Sequence, residues 1–371
     1  MIAAHRRTKV ILLMIITAIA AIAALLFFIV RTGLNGFDRA PTEVFGVVLP
    51  GDIKEGGWNK SVFDGFERAI NQCGGRLIFS RNAFDDPKLV QSAATYFIGR
   101  GANTVIFASP GYADLSKSVI SSNPLVDFVS FEGENRDPNL SSYWVRLYQV
   151  SYIAGYTAAA MSGTGILGYA AGRPDAINIR NIDAFTLGAR AAREDAVVNV
   201  IFTGDNFNRS KAEAAADRLI DEGHSEVLAY MMLNDGVSET AKRRRVKYIG
   251  FLEDPDKYDR GLMLGMVNVN WERFADLIIK NRMLRMNSHK TRWYGVEDDI
   301  VWFDNHCNYL TTAVQDHIKS LEKSFSDGHE VFSGEIRDTE GQLRCRQDEV
   351  LSDQTLSKAM LWFVDGVRML E

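Results

Sequence analysis

From residue 45 onward, short apolar runs alternate with stretches in which apolar side chains recur every three or four positions. The runs at 45–50, 76–80, 104–108 and 126–131 predict strands, and the stretches around 59–72, 86–99 and 112–121 predict helices between them. Strands that are apolar throughout, each followed by a helix, predict a parallel sheet covered on both faces. The pattern then restarts. Helix 149–161 leads to strand 166–170, helix 181–193 to strand 197–202, helix 209–222 to strand 227–232, and helix 236–243 to strand 246–251. Two successive α/β units leave a cleft between the carboxyl ends of their strands, where open parallel sheets bind ligands.

The N-terminus breaks this rhythm. Val10 to Val30 contains no charged residue, and as a helix it would span roughly 30 Å, the thickness of a bilayer core. His5, Arg6, Arg7 and Lys9 precede it and Arg31 follows. The bias of positive charge toward the cytoplasmic flank predicts export of everything after residue 31. A cleaved signal peptide is the alternative, but the alanines at 18–24 run into Leu25–Val30 instead of a polar segment. The expectation is an uncleaved transmembrane signal anchor within 1–31 and a tether at 32–42. The folded part, 43–371, would then lie on the extracytoplasmic (periplasmic) side of the cell membrane, held by a single pass.

Composition adds little beyond this. With 371 residues, 46% hydrophobic and 24% charged, the chain can bury a sizeable core. A net charge of −5 gives no footprint for nucleic acid. The basic cluster Lys242–Arg245 is short and reads as the end of a helix, where cations favour the negative end of the dipole. Cys73, Cys307 and Cys345 match no metal-site spacing. An exported domain permits one disulfide, with Cys307–Cys345 the favoured pair because both follow strand-like runs late in the chain; three free thiols are the alternative.

Candidate chemistry gathers where strands end. The stretch "GDIKEGGWNK", 51–60, sets Asp52, Trp58 and Asn59 on a glycine-loosened loop between a strand and a helix. Trp58 can stack on a flat ligand, while Asp52 and Asn59 can fix hydroxyls or ring nitrogens. The alternative is that Trp58 caps the core and Asn59 caps the helix. Ser109 and Gly111 follow the third strand and Glu132 the fourth. In the second unit, Asn234 and Asp235, then Glu253 and Asp254, occupy the corresponding places, alongside Gly172-Arg173 and Asp205-Asn206-Phe207. Gly163–Gly168 matches G-x-G-x-x-G, yet it follows a helix and enters a strand, the reverse of a dinucleotide fingerprint. No nucleophile sits with a base in a recognisable motif, and neither a cofactor nor a metal site is expected.

Several segments, in order, resemble the basic membrane protein (BMP) family, the substrate-binding components of ABC transporters that include nucleoside-binding lipoproteins. Asp52, Gly57, Trp58 and Asn59 are similar to its first ligand loop. "SYIAGYTAAAMSGTGILGYAAGRP" (151–174), "INIRNIDAFTLGARAA" (177–192) and "NRSKAEAAADRLIDEGHSEV" (208–227) resemble its second-unit helices and strands. "FSGEIRDTEGQLRCRQDEVLSDQTLSKAMLWFVDGV" (332–367) resembles its terminal hairpin and Leu-Ser-Asp-led helix. The resemblance implies a two-lobe type I periplasmic-binding-protein fold with a parallel sheet in each lobe. Lobe 1 would hold about 43–133 and 254–292, lobe 2 about 134–253 and 293–330, and the C-terminal hairpin and helix 331–371.

It also implies a solute-binding protein rather than an enzyme. That protein would take a small planar polar ligand, nucleoside or purine-like, between the lobes and present it to an ABC permease. Phe185, from the family's Ala-Phe helix, joins the expected ligand-binding set. Three positions depart from the family: Leu252 stands where an Asp is frequent, Asn268 where many nucleoside binders carry Lys, and Glu132 where Asp is common. No cysteine near the apolar run offers a lipid-attachment site. A membrane-anchored sensor that docks a signalling partner is the main alternative function; a cleft enzyme built on Asp52 and Glu132 is another.

Overall fold

A computed structural model describes Ile22 and residues 43–370, apart from 56, 135–136, 232, 254–258, 285–289, 306 and 308. Val44–Glu371 forms one compact unit. The expected anchor lies, except for Ile22, outside the described residues; among those residues no helix is long and apolar enough to cross a membrane.

The first half follows the strand–helix alternation. Strand β1 (Val44–Val48) is buried at all five positions, as a parallel strand covered on both faces should be. Helix α1 (Gly57–Gln72) buries Val62, Phe66, Ala69 and Ile70, one helical stripe. Strand β2 (Arg76–Ser80) follows. Helix α2 (Pro87–Gly99) opens on Asp86, whose carboxylate accepts the Lys88 and Leu89 amides, with Pro87 in its first turn. Next comes β3 (Thr104–Phe107). The helix expected at 112–121 divides at Ser116 into α3 (Tyr112–Leu115) and α4 (Lys117–Ser122), because Ser116 leaves helical geometry at φ −113° and ψ 17°. Strands β4 (Asp127–Phe131) and β5 (Leu140–Val145) end this half.

The second half runs through α5 (Leu147–Ala160), β6 (Ile166–Ala171), α6 (Ala176–Ala192), β7 (Val197–Phe202) and α7 (Arg209–Asp221). It continues with β8 (Val227–Tyr230), α8 (Gly236–Arg244), β9 (Lys247–Phe251), β10 (Met263–Val269) and α9 (Trp271–Met283). Strands β11 (Thr291–Tyr294) and β12 (Val301–Asp304) and helix α10 (Thr312–Ser326) follow. A hairpin, β13 (Ile336–Arg337) and β14 (Leu343–Cys345), and a last strand, β15 (Val367–Met369), complete the described elements.

Two sheets define two lobes. The first, in the order β11-β5-β4-β3-β1-β2, is parallel throughout. The second, β12-β10-β9-β8-β6-β7-β15, is parallel except where β12 pairs with β10. The chain therefore passes between lobes near Arg146, Asn270 and Gly295, not at the boundaries of the sequence reading. β5 still pairs with β4, and β10 with β9, so each joins the lobe that precedes it. The crossings at Arg146 and Gly295 are tied together. The Arg146 amide donates to the Tyr294 carbonyl at 2.8 Å, and the Gln149 side-chain oxygen accepts from the Val296 amide at 2.9 Å.

Two further expectations change. The Leu-Ser-Asp segment starts a five-residue turn, Thr355–Ala359, and not a long helix. Burial of Leu356 and Met360, together with a bond from the Val364 amide to Asp183, pins this segment to lobe 2 before it adds β15 to β7. Cys307 and Cys345 are both buried and unbonded, and Cys73 is free and exposed. The Cys345 sulfur faces carbonyls of its own neighbourhood, those of Phe332, Arg346 and Glu349.

Candidate functional site

The loops at the carboxyl ends of the two parallel sheets converge between the lobes, as the topology requires. On lobe 1, the loop after β1 is held by Asn59. Its buried side-chain oxygen accepts the Gly51 amide at 2.9 Å, so this residue closes the loop from within. Asp52 accepts the Lys54 amide at 3.0 Å and lies 3.6 Å from the Arg81 guanidinium.

Trp58 is half-buried in α1. Its indole N–H donates to the Ala108 carbonyl at 3.0 Å, and its ring meets Trp271 edge-on at 4.7 Å and Phe131 at 6.4 Å. The N–H that sequence reasoning offered to a ligand is thus bonded to the loop after β3. That loop carries Ser109, whose carbonyl faces the Tyr112 amide at 3.4 Å, and Gly111, whose φ of 81° suits a residue without a Cβ. The indole N–H of Trp271, itself buried, has no hydrogen-bond partner among the described residues.

Glu132 ends β4 with φ +50°, an uncommon conformation for this residue type. Its carboxylate meets the Arg180 guanidinium of α6 at 3.3 Å across the lobe boundary, with side-chain exposures of 4% and 0%. Burial pushes the Glu132 carboxyl above its usual range, while Arg180 opposes the shift. Arg180 also donates to the Leu356 carbonyl at 3.1 Å and lies over the Trp144, Tyr148 and Trp293 rings at 5.3–5.8 Å. A buried cation thus links lobe 1, lobe 2 and the C-terminal segment.

On lobe 2, Asn234 spans its loop, donating to the Phe207 carbonyl at 3.0 Å and accepting the Gly236 amide at 3.1 Å. Asp235 pairs with Arg209 at 2.8 Å. Glu253 accepts the Tyr230 hydroxyl at 2.7 Å and lies 3.6 Å from Lys242; burial raises its pKa. Asp254 lies outside the described residues. Phe185 is a correction: it is buried in the seam between α5 and α6, edge-on to Tyr169 at 5.2 Å. There the helices touch backbone to backbone, with Gly155 against the Phe185 carbonyl and Gly188 against that of Tyr152.

The structure therefore groups Trp58, Ser109 and Glu132 through their neighbours on lobe 1, and Asn234 with Phe207 on lobe 2. It leaves Phe185 in the core. Of the residues that meet across the rim of the lobes, Arg173 and Phe207 are among the strand-end candidates of the sequence, whereas Phe84 and Asp85 are not. Phe84 meets Phe207 edge-on at 5.6 Å, and Arg173 pairs with Asp85. These four line a groove of about 490 Å³ together with Gly204, Asp205 and Asn208. Arg173 and Phe207 follow β6 and β7, where position places them among the candidates. Asp85 sits just before the helical stretch at 86–99 and Arg180 just before the one at 181–193, with nothing in the sequence to mark either.

The family described as "Bmp: ABC transporter substrate-binding protein PnrA-like" matches residues 42–333. A purine-binding protein of Brucella abortus is 28% identical over 274 residues, covering 73% of this chain and 77% of that protein. Among solved structures, an ABC-transporter solute-binding protein from Aeropyrum pernix K1 superposes with a TM-score of 0.68 at 12% identity, covering 80% of this chain and 93% of that one. One from Conexibacter woesei gives 0.62 at 16% identity, with 77% and 97% covered. The two-lobe α/β fold is that of these solute-binding proteins. With the match running through both lobes, the chain belongs to the Bmp family of PnrA-like ABC transporter substrate-binding proteins.

Proposed function

We propose that this solute-binding protein holds a small planar polar ligand, purine or nucleoside-like, between its lobes and delivers it to an ABC permease. The observation that carries this reading is the half-buried Trp58 at the strand ends of lobe 1, fixed by its N–H to the Ala108 carbonyl and backed by Trp271 and Phe131. An aromatic surface of this kind suits a flat ring, and polar groups at the neighbouring strand ends supply orientation. The purine-binding relative from Brucella abortus supports the same ligand class. Asp52, Ser109, Gly111, Glu132, Asn234, Asp235 and Glu253 remain candidate contacts; the family's task is binding, so none is assigned a catalytic role.

The folded domain is proposed to stand outside the cytoplasm on an uncleaved Val10–Val30 anchor, which suits the charge-free run and its basic flank. Full-length protein extracted from membranes tests both parts. Mass spectrometry of co-purifying small molecules, followed by calorimetric titration with adenine, adenosine and glucose, should show a purine bound and glucose ignored. A sugar recovered from the protein, or no heat with either purine, overturns the ligand class. Intact mass should place the N-terminus at Met1 or Ile2, and a mature start near Ala24 or later overturns the anchor.

A further inference from the structure

The loop after β2 carries more structure than a connection needs. Asn82 and Phe84 both adopt left-handed backbone angles, φ 58° and 44°, which cost energy in residues other than glycine unless their surroundings enforce them. Here the surroundings do. The amides of Asn82, Ala83 and Phe84 donate to the carbonyls of Gly51, Leu49 and Pro50, at 3.2, 3.2 and 2.9 Å. The Phe84 carbonyl accepts the hydroxyl of Tyr112, a residue with no exposed surface. The result is an aromatic ring, 41% exposed, held out from lobe 1 against Phe207 of lobe 2, with Asp85 beside it pairing with Arg173.

Tyr112 opens α3, directly after the loop whose Ala108 carbonyl receives the Trp58 indole. The ring that would meet a ligand and the ring that meets the other lobe are therefore joined through one short run, 108–112. The opposing side is fixed as well, since the Phe207 carbonyl is held by Asn234 and its amide by Asp205.

We propose that Phe84–Phe207 and Asp85–Arg173 form a latch at the mouth of the cleft, and that Tyr112 is the positioning residue that couples the latch to the Trp58 loop. The latch sets how long the closed form, and a ligand inside it, persists. It rests on the interlobe-cleft reading above. Both halves of the pairing lie on the rim, so breaking them opens the mouth without disturbing either core. The Glu132–Arg180 pair is a separate and buried interlobe contact.

The test reads the mouth directly. Full-length protein carrying Cys73→Ser, Lys88→Cys and Lys211→Cys takes spin labels on exposed first turns of the helices that follow Phe84 and Phe207, and pulsed electron resonance measures the distance between them. The unaltered latch should give a short, narrow distribution. Phe84→Ala and Arg173→Asp should each lengthen and broaden it, the exchange Asp85→Arg with Arg173→Asp should restore it, and Tyr112→Phe should resemble Phe84→Ala. Adenine, as probe, should leave Phe84→Ala about threefold to tenfold faster, the factor expected for loss of one edge-on aromatic pair. Distributions unchanged by both Phe84→Ala and Arg173→Asp overturn the latch, and an unchanged Tyr112→Phe overturns the coupling. Failure of adenine to bind any form overturns the purine reading alone, because the distance measurement needs no ligand.

Discussion

Replacing Arg180 by methionine isolates the charge at the lobe boundary. The guanidinium has no exposed surface and its carboxylate partner is nearly as buried, so deleting one member leaves a buried charge without compensation, at about 3–5 kcal/mol. For a folded unit of this length the unfolding entropy is about 0.7 kcal/mol per kelvin, so the melting temperature should fall by about 4–7 °C. The deficit should depend on pH, and its sign can be worked out. Burial already raises the Glu132 carboxyl, while Arg180 lowers it and Asp175 raises it, so removing Arg180 raises it further. A carboxyl raised in the folded state holds a proton that the unfolded chain has released. That contribution to stability is fully present below the unfolded pKa, about 4.3, and is lost as pH rises through the folded value.

The gap between parent and Arg180→Met should therefore be widest near pH 8 and narrow toward pH 5. Adding Glu132→Gln should recover most of the loss, because a pair replaced at both ends by neutral groups leaves no orphaned charge. Thermal melts across that range on the two single variants and the double variant decide the matter. A deficit that ignores pH and is equal in Arg180→Met and the double variant would refute the reasoning. It would leave Arg180 contributing only its packing on Trp144, Tyr148 and Trp293 and its bond to Leu356.

Three further outcomes are expected. Thiol titration should find one reactive cysteine in the native protein, Cys73, and three after denaturation without reductant; a single thiol in the denatured chain would restore the Cys307–Cys345 bond. Trp58→Ala should weaken purine binding and also lower stability, by about 3 kcal/mol, the lower end for a tryptophan truncated in a core, whereas weakened binding with an unchanged melt would free the ring from Trp271. Gly155→Ala should destabilise by at least about 1–3 kcal/mol, since the new methyl meets the Phe185 carbonyl across the α5–α6 seam; a melt within 1 °C of the parent would mean the helices can separate there.

The strands and helices were legible because their burial is written in local pattern. β1, β3 and β8 are buried at every position and read as apolar runs, and α2 and α7 begin on Asp86 and Asn208, residue types that favour the N-cap place. β5 and β10 were harder. β5 buries Ser141 and Ser142, and β10 buries Asn268, so polar positions interrupt the apolar signal. Nor does any local feature say that a strand will pair with its predecessor before the chain crosses over. The C-terminal segment failed for a similar reason: its apolar residues suit a helix, but what fixes them is Asp183, which takes the Val364 amide, and the open edge of β7.

The site was legible only as a location. Strand ends mark where loops converge, but the partner that each polar side chain takes is a property of the assembled fold. α6 shows why. Its polar positions Asn178, Arg180, Asn181 and Asp183 would normally mark a solvent face, yet all four are buried. Three of them meet groups remote in sequence, while Asn178 bonds locally to Asp175 and Arg173. Arg180 takes Glu132 and the Leu356 carbonyl, Asp183 takes the Val364 amide, and Asn181 lies against Ser151 of α5. The side of α6 opposite to its contact with the sheet is therefore an internal face, covered by lobe 1 and by the returning C-terminal segment. Arg180 bonds both Glu132 of lobe 1 and the Leu356 carbonyl of the segment that ends as β15. Lobe closure and the seating of the C-terminal segment should then change together, so weakening the Arg180–Leu356 side of the junction ought to alter the interlobe distance even when every residue at the mouth is intact.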